Sequence, residues 1–213
     1  MNVSSSKENI LKKIRQALSA STPIPFPQSE GYQSVFTPST QDPEIEFAEQ
    51  FTKLSGKFIF CEDHQELAAQ LNALVAHQSW TKIFCLEDKL KAILKDHRFD
   101  HFGASDLAGC EAAITSCELL IARTGSIVLS AAGPSGRTVS VYAPVHICVA
   151  YTDQLVYDIK EGLQLLKEKY QQNLPSMITL ATGPSRTADI EKTLVIGVHG
   201  PKEVYLFLVD RNN

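Results

Sequence analysis

Five short runs in this chain are almost wholly apolar: KFIFC (57–61), KIFCL (82–86), VHICVAY (145–151), MITLA (177–181) and EVYLFLV (203–209). Runs of this length read as strands. VHICVAY has no polar alternation, so it is a strand buried on both faces. Between the first two runs, Leu67, Leu71, Leu74 and Val75 share one face of a helix, and 88–94 suits a second helix. Strand, helix, strand, helix at this spacing requires parallel pairing with crossover connections.

The middle of the chain changes character. SIVLSA (126–131) and TVSVYA (138–143) read as two strands joined by Gly133, Pro134, Ser135 and Gly136, which predicts a hairpin. Val156, Ile159, Leu163, Leu166 and Tyr170 predict a helix over about 153–171, and 42–54 suits another. At the front, Ile10, Ile14 and Leu18 mark a short amphipathic helix, followed by a stretch rich in proline, serine and threonine. The expected class is α/β: a mostly parallel sheet flanked by helices, with one antiparallel hairpin excursion. Residues 1–41 form an N-terminal helical arm and 42–213 a single α/β domain.

The 213 residues are 44% apolar and 21% charged, with a formal net charge of −4, as in soluble globular proteins. No basic face suggests a grip on nucleic acid. No run of eighteen apolar residues predicts a membrane span, and the N-terminus lacks the apolar core of a secretory signal. The expected location is the cytoplasm. Five cysteines are widely spaced without a CxxC pair, and Cys61, Cys85 and Cys148 sit in apolar runs as small hydrophobes. That spacing argues against a cysteine-held zinc or iron–sulfur cluster, and no metal site is read. The phosphate-binding GxxxxGK[ST], the dinucleotide GxGxxG, the GxSxG elbow and HExxH are all missing.

The stretch TGPSRTADIEKTLVIGVHGP (182–201) follows the strand 177–181, and ligands in α/β sheets sit beyond strand carboxyl ends. Gly183 permits a sharp turn. Ser185 or Thr187 is placed to cap a short helix over 188–193, with Asp189 and Glu191 in its first turns. Free amides there, with the Arg186 guanidinium and two hydroxyls, would hold a carboxylate or phosphate. His199, between Gly197 and Gly200, is a candidate acid or base. Equally open is a structural reading: a cap, a surface ion pair and a histidine that holds a turn. Thr124, Gly125 and Ser126 form either a second ligand wall or a plain glycine turn. Arg137 either reaches an anion or solvates the hairpin. His146 reads as a structural histidine.

Three marks together carry a resemblance: Thr124-Gly125-Ser126-Ile127, the series Arg137, Ser140, Pro144 and His146, and above all the 182–201 stretch. They resemble the LUD domain, the family of lactate-utilization protein C, from about Glu111 to the C-terminus. The resemblance implies a fold similar to the phosphosugar isomerase and coenzyme A transferase superfamily. It implies a component of a three-protein system oxidising L-lactate to pyruvate. Iron–sulfur clusters then belong to two partner proteins, and this chain has no cofactor of its own. By this resemblance Arg186, with Ser185 and Thr187, holds a small anionic ligand, and His199 and Asp189 orient it or move a proton. An independent enzyme acting on a phosphorylated sugar or acyl-coenzyme A, and a non-catalytic scaffold, are the alternatives. Arg123 stands where the family often has an acidic residue.

Overall fold

The computed structural model describes residues 5–19, 41–190 and 193–211. The chain divides into two units, Met1–Thr37 and Pro38–Asn213. In the first, helix α1 (Ser5–Ser19) leaves Ile10 and Ile14 exposed. The expected proline-rich arm, 21–40, lies outside the described residues.

In the second unit, α2 (Pro43–Lys53) leads to β1 (Lys57–Cys61), α3 (His64–Gln78), β2 (Ile83–Cys85), α4 (Asp88–Asp96) and β3 (Ala112–Thr115). Next come β4 (Leu119–Ile121), β5 (Ser126–Ser130), α5 (Val139–Tyr142), β6 (Val145–Tyr151) and β7 (Leu155–Val156). Helix α6 (Ile159–Tyr170), β8 (Ile178–Ala181), β9 (Arg186–Ile190), β10 (Thr193–Ile196) and β11 (Glu203–Val209) complete it.

Five strands in the order β1-β11-β6-β3-β2 form a wholly parallel sheet. Its continuous apolar runs follow from burial on both sides. Along β11, Tyr205, Phe207 and Val209 enter one core cluster, and Val204, Leu206 and Leu208 enter another. Helices α3 and α4 cover the first face with Leu67, Leu71, Val75, Leu90 and Leu94. On the second face lie Phe47 and Phe51 of α2, with Leu120 and Ile127 from a second sheet. Each such side chain contributes about 1.5–3 kcal/mol by leaving water.

That second sheet runs β7-β4-β5-β8, with β5 antiparallel to both neighbours. Its strands alternate as the pleat requires. Leu120 and Ile127 face the first sheet, whereas Ile121 and Val128 pack on Leu166 of α6. Among the described residues no helix is long and apolar enough to cross a membrane.

The structure corrects several readings. The antiparallel excursion exists, but β5 pairs with β4, not with 138–143. TVSVYA alternates like a strand, yet 139–142 is helical. Burial overrides the alternation there, because the turn buries Val139 and Ala143 beside Cys110 and Ala113. Helix α6 starts only at Ile159, where the Asp158 carboxylate caps it by accepting from Lys160 N at 2.8 Å. Strand β8 is a half-buried edge strand of the second, mixed sheet, antiparallel to β5. The expected helix over 188–193 is absent: β9 and β10 are antiparallel, pairing Thr187 with Val195 and Arg186 with Ile196. Strands β3 and β4 escaped the sequence reading, being only four and three residues long.

Candidate functional site

At the carboxyl ends of β2 and β3 the chain carries Glu87, Thr115, which closes β3, and Ser116-Cys117-Glu118 just beyond it. Parallel pairing of these strands sets Glu87 beside Ser116. With Leu129, Ser130, the 132–136 loop, Ser140, and Lys169 and Tyr170 from the end of α6, they enclose about 270 Å3. The position is where open α/β sheets hold ligands.

Two carboxylates organise the walls. Glu87 is 5% exposed. Its Oε1 accepts from Ser116 N at 2.9 Å and Ser135 Oγ at 2.6 Å, and its Oε2 from Ser116 Oγ at 2.6 Å. The bond to Ser135 ties the 132–136 loop across the strand ends. Glu118 Oε1 accepts from Ser130 Oγ at 2.5 Å and Tyr170 OH at 2.6 Å, and its Oε2 from Lys169 Nζ at 2.7 Å. Burial pushes the Glu118 carboxyl up, but the Lys169 ammonium and the two hydroxyls outweigh it and leave it below the usual carboxylate range. The same bond holds the Lys169 ammonium above its ordinary value. Beneath the cavity, Thr115 Oγ1 and His146 Nε2 are 2.8 Å apart. Complete burial drives the His146 imidazole down to about 4.

The residues singled out by sequence sit elsewhere, and three of them, Gly125, Gly183 and Arg186, meet at the C-terminal end of α2. Gly125, at φ +59°, packs on the Gln50–Phe51 backbone, and Gly183, at φ +89°, faces Leu54 O. Arg186 Nη2 donates to Leu54 O at 2.9 Å and to Ser55 Oγ at 2.8 Å. Its cation thus satisfies a carbonyl just past the helix end, where positive charge is favourable. Thr124, Ser126 and Thr182 share a chain of hydroxyl contacts at 2.7 and 2.8 Å. Ser126 opens β5 and Ser130, which lines the cavity, closes it. The two are therefore about 13 Å apart along the strand.

The 182–201 segment also closes on itself. Ser185 N donates to Pro201 O at 2.9 Å, and Gly197 N to Ser185 O at 3.0 Å. A Cβ at Gly200 would stand 2.9 Å from Ser185 Cβ. Thr187 is a rung of the β9–β10 ladder. His199 is exposed on the bend before Pro201. Asp189 belongs to β9, but its side chain lies outside the described residues. Arg137 follows Gly136 at the cavity rim, where its guanidinium donates to Ser176 Oγ. Arg123 holds Asp158 at 2.7 Å and so fastens the start of α6. The helix amides on which the anion site was to rest are replaced by a hairpin.

Sequence reasoning missed Glu87, Ser116, Ser135, Lys169 and Tyr170. Only one signal pointed to them: a carboxylate directly after the apolar run KIFCL, at a strand's carboxyl end.

A parallel sheet with apolar layers on both faces and a polar cavity at its carboxyl edge define an α/β domain. Residues 45–209 match the sequence model of the LUD domain, and the chain belongs to that family. Lactate utilization protein C of Deinococcus radiodurans is 34% identical over 106 residues, 49% of each chain. The protein of that name from Bacillus subtilis is 35% identical over 101 residues, 46% of this chain and 42% of the other. An uncharacterized protein of Neisseria meningitidis is 28% identical over 124 residues, 58% of this chain and 52% of that one. These matches thus span about half the length of the curated relatives. A crystal structure of a DUF162 family protein from Deinococcus radiodurans superposes with a TM-score of 0.57 at 19% identity. It covers 78% of this chain and 96% of that one, a likeness of fold.

Proposed function

We propose that this chain is the component of a cytoplasmic L-lactate-oxidising system that carries no iron–sulfur cluster, the clusters residing in partner proteins. Its working part is the cavity beyond β2 and β3, where it holds a small ligand. The observation that carries the ligand-binding half is that cavity, with the buried Glu87 securing its loop. Family membership and the name borne by the relatives support the lactate half. Four of the five cysteines are buried and all are free, which suits the assignment of clusters to partners. An independent enzyme of the coenzyme A transferase kind would need an attacking glutamate. Glu118 faces the cavity, but donors hold both its oxygens, so attack requires that clamp to open.

A deletion strain without other lactate-oxidising enzymes tests the reading. It is expected to fail on L-lactate as sole carbon source and to grow on pyruvate. The wild-type gene restores growth. Ser140→Leu, which fills the cavity, does not, provided the purified variant melts like wild type. Arg186→Ala restores growth and costs about 1 kcal/mol in urea unfolding, the loss of an exposed helix-end contact. Growth of the deletion strain on lactate overturns the lactate role, and rescue by Ser140→Leu overturns the cavity. If Arg186→Ala folds normally yet fails on lactate, the working part is the 182–201 segment. Arg186, Ser185 and Thr187 then hold an anion there and His199 and Asp189 serve it.

A further inference from the structure

Four of the six hydroxyl groups around the cavity, all but those of Thr115 and Ser140, have a fixed polarity. A carboxylate only accepts, so each hydroxyl bonded to one must donate its proton to it. Ser116 and Ser135 spend theirs on Glu87, and Ser130 and Tyr170 on Glu118. What these four groups turn to a ligand is lone pairs.

The lining amides are also largely spent. Ser116 N donates to Glu87 and Glu118 N to Val128 O. Ala132 N donates to Ser130 Oγ, Gly133 N to Ser130 O and Gly136 N to Gly133 O. Pro134 has no amide proton. The one cation in the lining, Lys169, is matched to Glu118 at 2.7 Å, and Arg137 is turned to Ser176. Two carboxylates against one ammonium leave a negative excess at Glu87, which is buried and, among the described residues, has no cationic partner.

We propose that the cavity takes a small cationic, donor-rich ligand, a hydroxylated primary amine or guanidinium compound, and rejects carboxylates and phosphates. An ammonium or guanidinium group offers only donors, the complement of this lining. A carboxylate would meet lone pairs and an uncompensated charge in a partly dehydrated space, where repulsion is poorly screened. A volume near 270 Å3 falls below the about 300–1,000 Å3 of drug-sized sites, so the ligand is a small metabolite. The inference rests on the cavity being the binding site proposed above. It makes the ligand something other than the lactate the system consumes, so that lactate oxidation answers to a second, amine-bearing compound.

Three probes of one carbon skeleton test this: 1-amino-2-propanol, 1,2-propanediol and L-lactate, a cation, a neutral molecule and an anion. Each is titrated into the full chain while the backbone amide resonances of Ser116, Ser135 and Tyr170 are followed by NMR. The amine is expected to shift them and to bind at least about a hundredfold tighter than lactate. Glu87→Gln keeps the shape and removes the excess charge, and should cut that preference about tenfold. Lactate binding in the cavity as tightly as the amine overturns the cationic assignment and leaves the cavity as a site. If none of the three moves these resonances, the cationic assignment fails together with the cavity reading.

Discussion

Gly125→Ala is expected to cost the protein more than about 4 kcal/mol, enough to unfold much of it at physiological temperature. A residue there must adopt φ +59°, and the left-handed backbone alone costs a β-carbon about 1–2 kcal/mol. The larger part is steric. The added Cβ would stand 2.4 Å from Phe51 N, 2.7 Å from Gln50 C and 2.8 Å from Phe51 Cα. These are backbone atoms of α2 and cannot rotate away. The helix must retreat, and it carries Phe47 and Phe51, both wholly buried against Leu120, Ile127 and Leu206. Gly136→Ala is the control. It has φ +60° with nothing within 4 Å of the new Cβ, so only the backbone cost of about 1 kcal/mol remains. Urea unfolding of both variants should separate them by about 3 kcal/mol or more. Equal losses would mean that α2 does not press on this turn.

That result bears on how a family motif is read. Thr124-Gly125-Ser126 and the 182–201 stretch stand out in the sequence because glycine, proline and arginine are unusual together. In the structure Gly125, Gly183 and Arg186 converge on the end of α2, and the atoms they meet there are largely its backbone and that of the residue after it. Close backbone approach demands glycine as strictly as a ligand does. Motif residues can therefore mark a packing point.

The fold was legible where one physical demand acted alone. EVYLFLV and VHICVAY lie between two apolar layers, so nearly every residue is apolar, Glu203 and His146 excepted, and period two vanished. The helices α3 and α4 bury one face each, so their periodicity was plain. Reading failed where tertiary contacts chose between local options. TVSVYA has a strand's alternation but turns as a helix to bury Val139 and Ala143. The cavity was illegible for a different reason. Glu87 and Ser116 are 29 residues apart, and Ser135 is 48 from Glu87. They meet only because β2 pairs with β3 in parallel and a loop folds back across both, which no local spacing records.

His146 should make the protein acid-sensitive well above the range of ordinary carboxylates. Unfolded, its imidazole takes up a proton near pH 6.5; in the fold burial holds that uptake down to about 4. Between those values the unfolded chain binds more protons, so stability falls as pH falls. The contribution is complete above pH 6.5 and drains away on the way to pH 4, where the gap amounts to about 3 kcal/mol. Glu118, held below the usual carboxylate range, loses its own contribution at still lower pH. His146→Gln separates the two. Glutamine keeps an amide within reach of Thr115 Oγ1, the partner of His146 Nε2, but does not titrate. At pH 7 the variant should sit within about 1 kcal/mol of wild type, the worth of one neutral hydrogen bond. By pH 4.5 wild type should have lost about 2–3 kcal/mol that the variant keeps, so the order of stabilities inverts. Urea midpoints at the two pH values read this directly. Parallel losses in both proteins would mean that the buried imidazole beneath the cavity is protonated as readily in the fold as outside it. The Thr115–His146 contact would then have to be redrawn with the imidazole as donor from both nitrogens.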